Sequence, residues 1–247
     1  MSGHLVAAKG EPAARYIHID AARGFAIVLM VIFHFTYDLN HFNYVEVDFN
    51  HDPFWLNFRT LIVTLFLCLV GISLQLATGK GVNLRRYGSR LMLLVAAAVA
   101  VTFGSYLVFP DKLILFGILH FIAVASVVGL LFRHFYWINL LLGIGLIIFG
   151  VQFQHEWFNA LAWHWIGLTT QGPATVDYVP LLPWFGVVLI GMFLGSLIER
   201  YQLLSRVSQQ SNGLTRSLAL GGRHSLVIYL AHQPLLFAGF YLVSFFD

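Results

Sequence analysis

The sequence predicts an all-α fold: a polytopic membrane helical bundle of about seven transmembrane helices, with an extra interfacial helix in an outer loop at 152–179. Of its 247 residues, 59% are hydrophobic and only 10% are charged, against about 25% charged in an ordinary soluble domain. Mean hydropathy is +0.79, and uncharged apolar runs reach roughly 20 residues, the length that crosses a bilayer core. Low charge with 16% aromatic residues excludes a disordered chain, and a net charge of +3 leaves no expectation of a nucleic acid partner. The single cysteine, Cys68, excludes an intrachain disulfide framework.

Apolar length and breaker residues place the spans at about 22–40, 54–77, 91–109, 113–132, 135–151, 181–198 and 225–246. The fifth is short and carries Gly143, Gly145 and Gly150. Residues 1–18 read as a cytoplasmic leader, because Met1 to Asp20 is mostly polar and lacks the apolar region of a signal peptide. Residues 19–247 then form one transmembrane domain. Trp157, Phe158, Trp163, His164 and Trp165 give the outer loop an aromatic density suited to the membrane interface, which is why an in-plane helix is expected there. No internal repeat is visible, which disfavours many secondary-transporter folds. Gly191-Met192-Phe193-Leu194-Gly195 fits a small-xxx-small packing pattern, within one chain or across a homodimer.

Charge sets the orientation. Twelve of the fourteen Lys and Arg residues fall on one side of these spans: Lys9, Arg15, Arg23, Lys80, Arg85, Arg86, Arg90, Arg133, Arg200, Arg206, Arg216 and Arg223. By the positive-inside rule the N-terminus is cytoplasmic and the C-terminus outside. Glu46, Asp48, Asp52, Asp111, Glu156, Asp177 and Asp247 all fall on the outer side. The lipid bilayer is then the constant partner.

Ionisable groups at membrane depth are costly and mark function by default. Arg23, His34, Asp38 and His41 are spaced by 11, 4 and 3, which keeps them on one helical face. His34 lies roughly 16 Å outward of Arg23, and Asp38 about one turn farther. A carboxylate one turn from an imidazole is placed to hold its tautomer and raise its basicity, as general-base catalysis needs. Arg59, about one turn into span two, is expected to pair with Asp38 and shape the outer cavity, with contact to a substrate anion as the other reading. His120 in span four falls near the level of His34, and His232 in span seven nearer the midplane, two residues before Pro234. Asp177 stands at the outer entrance to span six, ahead of Pro180, Pro183 and Trp184.

Four stretches carry a family likeness. Ile19-Asp20-Ala21-Ala22-Arg23-Gly24-Phe25-Ala26, running on through Met30 to His34-Phe35-Thr36-Tyr37-Asp38-Leu39, is the first. Gly117-Ile118-Leu119-His120-Phe121-Ile122 and Asp177-Tyr178-Val179-Pro180-Leu181-Leu182-Pro183-Trp184-Phe185-Gly186 follow. The last runs from Gly222-Arg223-His224-Ser225 to Tyr229-Leu230-Ala231-His232-Gln233-Pro234. In this order they resemble a bacterial membrane-protein family related to the catalytic domain of heparan-α-glucosaminide N-acetyltransferase, a transmembrane acyltransferase, and the resemblance runs from about residue 15 to the C-terminus.

The resemblance implies acyl transfer across a membrane: cytosolic acetyl-CoA (or another acyl-CoA) as co-substrate, and a glycan or small-molecule acceptor outside whose hydroxyl or amine takes the acyl group. Where the animal enzyme has an asparagine in the first span this chain has His34, and the resemblance leaves three places for the counterpart of its proposed catalytic histidine: His41, His51, or none in this chain. In the scheme that joins both readings, Arg23, Arg85, Arg86, Arg90 and Arg223 face the CoA phosphates. His34, oriented by Asp38, serves as base or nucleophile, and His120 or His232 stabilises the oxyanion or relays protons. Arg59, Asp177, Trp184 and His41 are the candidate acceptor contacts, and no metal is expected. Two other classes stay open at this point: a haem- or metal-binding electron-transfer protein using His34, His120 and His232, and a proton-coupled transporter or flippase using His34, Asp38 and Arg59.

Overall fold

The computed structural model describes residues 16–108, 110–203 and 212–244, and every α-helix or turn helix in them is assembled without a β-strand among the described residues. Among the described residues eight α-helices follow one another: α1 (Ile17–His41), α2 (Pro53–Thr78), α3 (Leu84–Val108), α4 (Ile118–Gly129), α5 (Trp137–Gln152), α6 (Leu181–Arg200), α7 (Gly213–Arg223) and α8 (Ser225–Ser244). Five of them, α1, α2, α3, α6 and α8, are long and apolar enough to cross a membrane. The fourth and fifth expected spans coincide with the shorter apolar helices Ile118–Phe132 and Trp137–Gln152. Most of the expected leader, with Lys9 and Arg15, lies outside the described residues, as do Arg206 and Asp247.

Local chemistry explains where the helices start. Asp52 caps α2, its carboxylate accepting the Phe54 N–H, with Pro53 in the first turn where a missing N–H costs nothing. Helix α3 begins at Leu84 rather than 91, because Asn83 caps it through the Arg86 N–H at 3.0 Å and arginines are good helix formers. Helix α4 begins at Ile118 rather than 113. The segment before it is tied to α3 instead: Ile114 donates its N–H to Ser105 Oγ at 3.0 Å, and Thr102 Oγ1 donates to the Ile114 carbonyl at 2.8 Å.

One expectation is corrected. The 152–179 loop carries two short 3₁₀ helices, Glu156–Asn159 and Leu161–Ile166, rather than one in-plane helix. Side chains there compete for the backbone: His155 Nδ1 accepts the Trp157 N–H, Asn159 ties to Thr170, and Gly167 ends the second turn at φ 95°. In the other direction, the basic connection after span six contains α7. Asn212 caps it by accepting the Thr215 N–H at 2.8 Å, and its buried face is Ala219 and Gly222.

Packing relies on close backbone approach, as expected where lipid removes the hydrophobic drive between helices. Helix α1 lies against α2, α7 and α8, α6 against α2 and α5, and α3 against α4. A Cβ at Gly71 would overlap the Val188 carbonyl, and one at Gly191 the Cys68 carbonyl, so the Gly191-to-Gly195 pattern serves α2–α6 packing within the chain. Leu67, Phe121, Val188, Leu189 and Met192 fill the interior between α2, α4 and α6.

Candidate active site

Helices α1 and α8 meet along a polar seam. The rings of His34 and His232 are 4.9 Å apart. Toward the C-terminal end of α1, Gln233 Nε2 donates to Asp38 Oδ1 at 2.8 Å, and the His41 ring packs 5.5 Å from Phe237. The stripe read from the first span therefore exists, and its partner surface is the last helix. Its internal pairing differs from expectation. Asp38 is fully buried with Gln233 as its hydrogen-bond partner, so it does not orient His34. Arg59 is exposed and forms no ion pair with Asp38, because Asp38 faces α8 rather than the outer surface of α2.

Hydrogen bonding fixes the tautomer of His232. Its Nδ1 lies 2.6 Å from the Tyr229 carbonyl, and a carbonyl only accepts, so Nδ1 carries the proton. The lone pair is then on Nε2, which is buried with no hydrogen-bond partner. Asp38 Oδ2 and Gln233 Oε1 are likewise buried and without partners. Unsatisfied polar atoms at this density are rare in a folded interior and point to a working site.

His120 has the opposite character. Its Nδ1 accepts the Gly117 N–H at 3.3 Å, and its Nε2 is 3.0 Å from Thr102 Oγ1, whose own proton goes to the Ile114 carbonyl. Nε2 must therefore donate, and both nitrogens are engaged in tying the entry of α4 to α3. A groove of about 510 Å³ between Val99, Phe103, Tyr106, Leu113 and Leu115 opens beside it.

Asp177 links three elements. Its Oδ2 accepts the Ile118 N–H at 2.9 Å, at the positive end of α4, and the Tyr229 hydroxyl at 3.3 Å. Burial pushes this carboxyl above the usual range, and those two hydrogen bonds pull it partly back. Because Tyr229 also supplies the carbonyl that holds His232, Asp177 sits one residue behind the seam. Trp184 packs half-buried against the α2–α4–α6 interior, and His41 is exposed at the C-terminal end of α1.

The arginines expected at the inner face separate into two groups. Arg23 Nη1 meets Asp20 Oδ1 at 3.0 Å and its Nη2 donates to Ser73 Oγ at 2.8 Å, while Arg223 Nε lies 3.4 Å from Asp20 Oδ2. A Cβ on Gly24 would overlap the Leu218 carbonyl, so α1 and α7 touch backbone to backbone beside this knot. Arg85, Arg86 and Arg90 instead line an exposed groove of about 640 Å³ with Asn83, Ser89 and Leu93, and among the described residues no carboxylate pairs with them. Among the described residues no group of three or more His, Cys, Asp or Glu side chains is placed to hold a metal.

Sequence reasoning passed over Gln233, Tyr229, Asp20 and Ser73. Gln233 and Tyr229 flank His232 on the helix and carried the only available hint, polar atoms within an apolar run.

A family model described as heparan-alpha-glucosaminide N-acetyltransferase, catalytic, matches residues 15–234. No curated protein and no solved structure matches the chain. The matched stretch takes in Asp20, Arg23, the His34–His232 contact, the Asp38–Gln233 hydrogen bond and Asp177. The chain belongs to the catalytic-domain family of heparan-α-glucosaminide N-acetyltransferase, a family of membrane acetyltransferases.

Proposed function

We propose that this protein moves an acyl group, foremost acetyl, from cytosolic acyl-CoA to a hydroxyl or amine on an acceptor outside the membrane, with a glycan as the leading acceptor. The observation that carries the reading is the His34–His232 contact, 4.9 Å between ring centres, in which the His232 lone pair is held on Nε2. In the reaction, Nε2 of His232 takes the proton of the acceptor's attacking oxygen or nitrogen. That atom bonds the acyl carbon, the thioester C–S bond breaks, and the thiolate of CoA leaves and regains a proton through the imidazoles. His34 stands beside the base as the second imidazole of the relay. His120 and Asp177 position the α4 entry and Tyr229 rather than touching the reacting atoms.

The unpaired Arg85, Arg86 and Arg90 suit the CoA phosphates better than Arg23 and Arg223, which already face Asp20. Arg59, His41 and Trp184 belong to the outer approach of the acceptor. In this reading the chain crosses a bacterial inner membrane seven times, counting the two short helices, with its N-terminus cytoplasmic and its C-terminus outside, so that donor and acceptor approach from opposite faces; the positive-inside bias of Lys and Arg supports it. The test is acetyl-CoA binding by calorimetry on protein in lipid nanodiscs, followed by release of free CoA thiol with a panel of amino sugars and sugar alcohols. Saturable binding with acceptor-dependent thiol release, lost in H34A and H232A, supports the reading. Full turnover in both variants would sink it.

A further inference from the structure

We propose that Asp38 keeps its proton and forms a closed acid–amide ring with Gln233, so that the seam beside the two imidazoles carries no negative charge. Gln233 Nε2 already donates to Asp38 Oδ1 at 2.8 Å. The two other polar atoms of the same pair, Asp38 Oδ2 and Gln233 Oε1, are both buried and both lack a partner. An ionised carboxylate and an amide carbonyl are both acceptors, so neither can satisfy the other. One proton on Oδ2, donated to Oε1, satisfies both atoms at once and turns two defects into a reciprocal pair.

The surroundings favour the same state. Asp38 is 0% exposed on a membrane-length helix, where an unpaired charge is costly. No cation among the described residues offsets it. On α1 the titratable neighbours are His34, Tyr37 and the exposed His41; on α8 they are Tyr229, which bonds Asp177, His232 and the exposed Tyr241. From α2 comes Arg59, exposed and not paired with Asp38. The 42–52 segment adds Glu46, an Asp48 bonded to His51, and Asp52, which caps α2. None of these is an ion-pair partner of Asp38 among the described residues.

This deepens the acyl-transfer reading, on which its consequence for catalysis rests. A carboxylate beside His34 and His232 would stabilise an imidazolium and occupy the lone pair the base needs. A neutral acid leaves the imidazoles neutral. Asp38 and Gln233 are then positioning residues that set the charge state of the pair.

Infrared spectroscopy of the protein in lipid nanodiscs near neutral pH tests this without turnover. The difference between wild type and D38N is expected to show the carbonyl stretch of a protonated carboxylic acid, present in the wild type and absent in the variant. Carboxylate bands in its place would overturn the proposal. Q233L keeps every ionisable group and serves if D38N fails to fold. Loss of the amide should move the acid carbonyl band to higher frequency, and an unmoved band would overturn the proposal equally. A wild type with no transferase activity would defeat the acyl-transfer reading while leaving the infrared result to decide this one.

Discussion

The Nδ1 of His232 lies 2.6 Å from the carbonyl oxygen of Tyr229, three residues earlier on α8, and this contact divides the ring into a structural nitrogen and a chemical one. Asparagine at 232 places an amide near the Nδ1 position, and glutamine places one nearer Nε2. H232N is therefore expected to keep the bond to Tyr229 and fold, yet to lose turnover by about 10²- to 10⁴-fold, the span typical of a missing general base. H232Q should lose turnover as well, with lower thermal stability than H232N, because it abandons the Tyr229 carbonyl. Thiol release and melting temperature, measured on both variants, separate the two roles. Equal stability of H232N and H232Q would show that the Nδ1 contact does not matter.

The two arginine groups should respond oppositely to truncation. Hydrogen bonds to charged groups contribute about 1.5–3 kcal/mol when well formed, so an exposed groove contact should sit at the low end, about tenfold in affinity. R85A, R86A and R90A are each expected to weaken acetyl-CoA binding by about that factor with little change in melting temperature. R23A should instead lower stability by roughly 2 kcal/mol, less than a fully buried pair loses, because Arg223 still faces Asp20. Calorimetry and thermal melts on the same preparations read both effects. The assignment fails if R23A is the variant that loses CoA.

Much of this architecture is legible in the sequence because crossing a bilayer demands long apolar runs: each expected span overlaps a helix, and five of those helices are of membrane length. His34, Asp38 and His232 stand out for the same reason: a polar atom at that depth has no cheap explanation. Their pairing is not legible. Gln233 reaches Asp38 across 195 positions, and only the relative rotation of α1 and α8 decides that Gln233, not His34 or Arg59, becomes its partner. Helix α7 is missed by a search for apolar runs because it is short and interleaves Thr215, Arg216 and Ser217 with its leucines. The unused nitrogen of His232 and the engaged ones of His120 depend on rotamers that no spacing rule encodes.

Glycine contacts between α2 and α6 predict a sharp size limit. A methyl group at Gly191 meets the Cys68 backbone rather than a movable side chain, so the helices must separate to admit it. Overpacking of this kind costs about 1–3 kcal/mol. G191A should melt several degrees below wild type, whereas G145A, on α5 with nothing near its Cβ position, should melt at or above it because alanine is the better helix former. A G191A protein as stable as the wild type would mean that α2 and α6 pack differently.

Asp177 gives stability a pH dependence of definite sign. Its carboxyl is raised by burial, so the folded protein holds that proton more tightly than the unfolded chain does. Where the folded state binds more protons, stability falls as pH rises. The contribution is fully present below the ordinary aspartate value and is lost as pH climbs through the raised one. D177N cannot titrate, yet its amide oxygen can still accept the Ile118 N–H and the Tyr229 hydroxyl. Melting temperature followed from acidic to neutral pH should therefore decline more steeply in wild type than in D177N, with the two curves diverging above the ordinary aspartate range. D177A, which removes the acceptor altogether, should melt lower than D177N at every pH, by the roughly 0.5–2 kcal/mol that a helix cap contributes. Parallel curves for wild type and D177N would show that Asp177 is not the titrating group. Equal melting of D177A and D177N would show that its link from α4 to Tyr229 adds nothing.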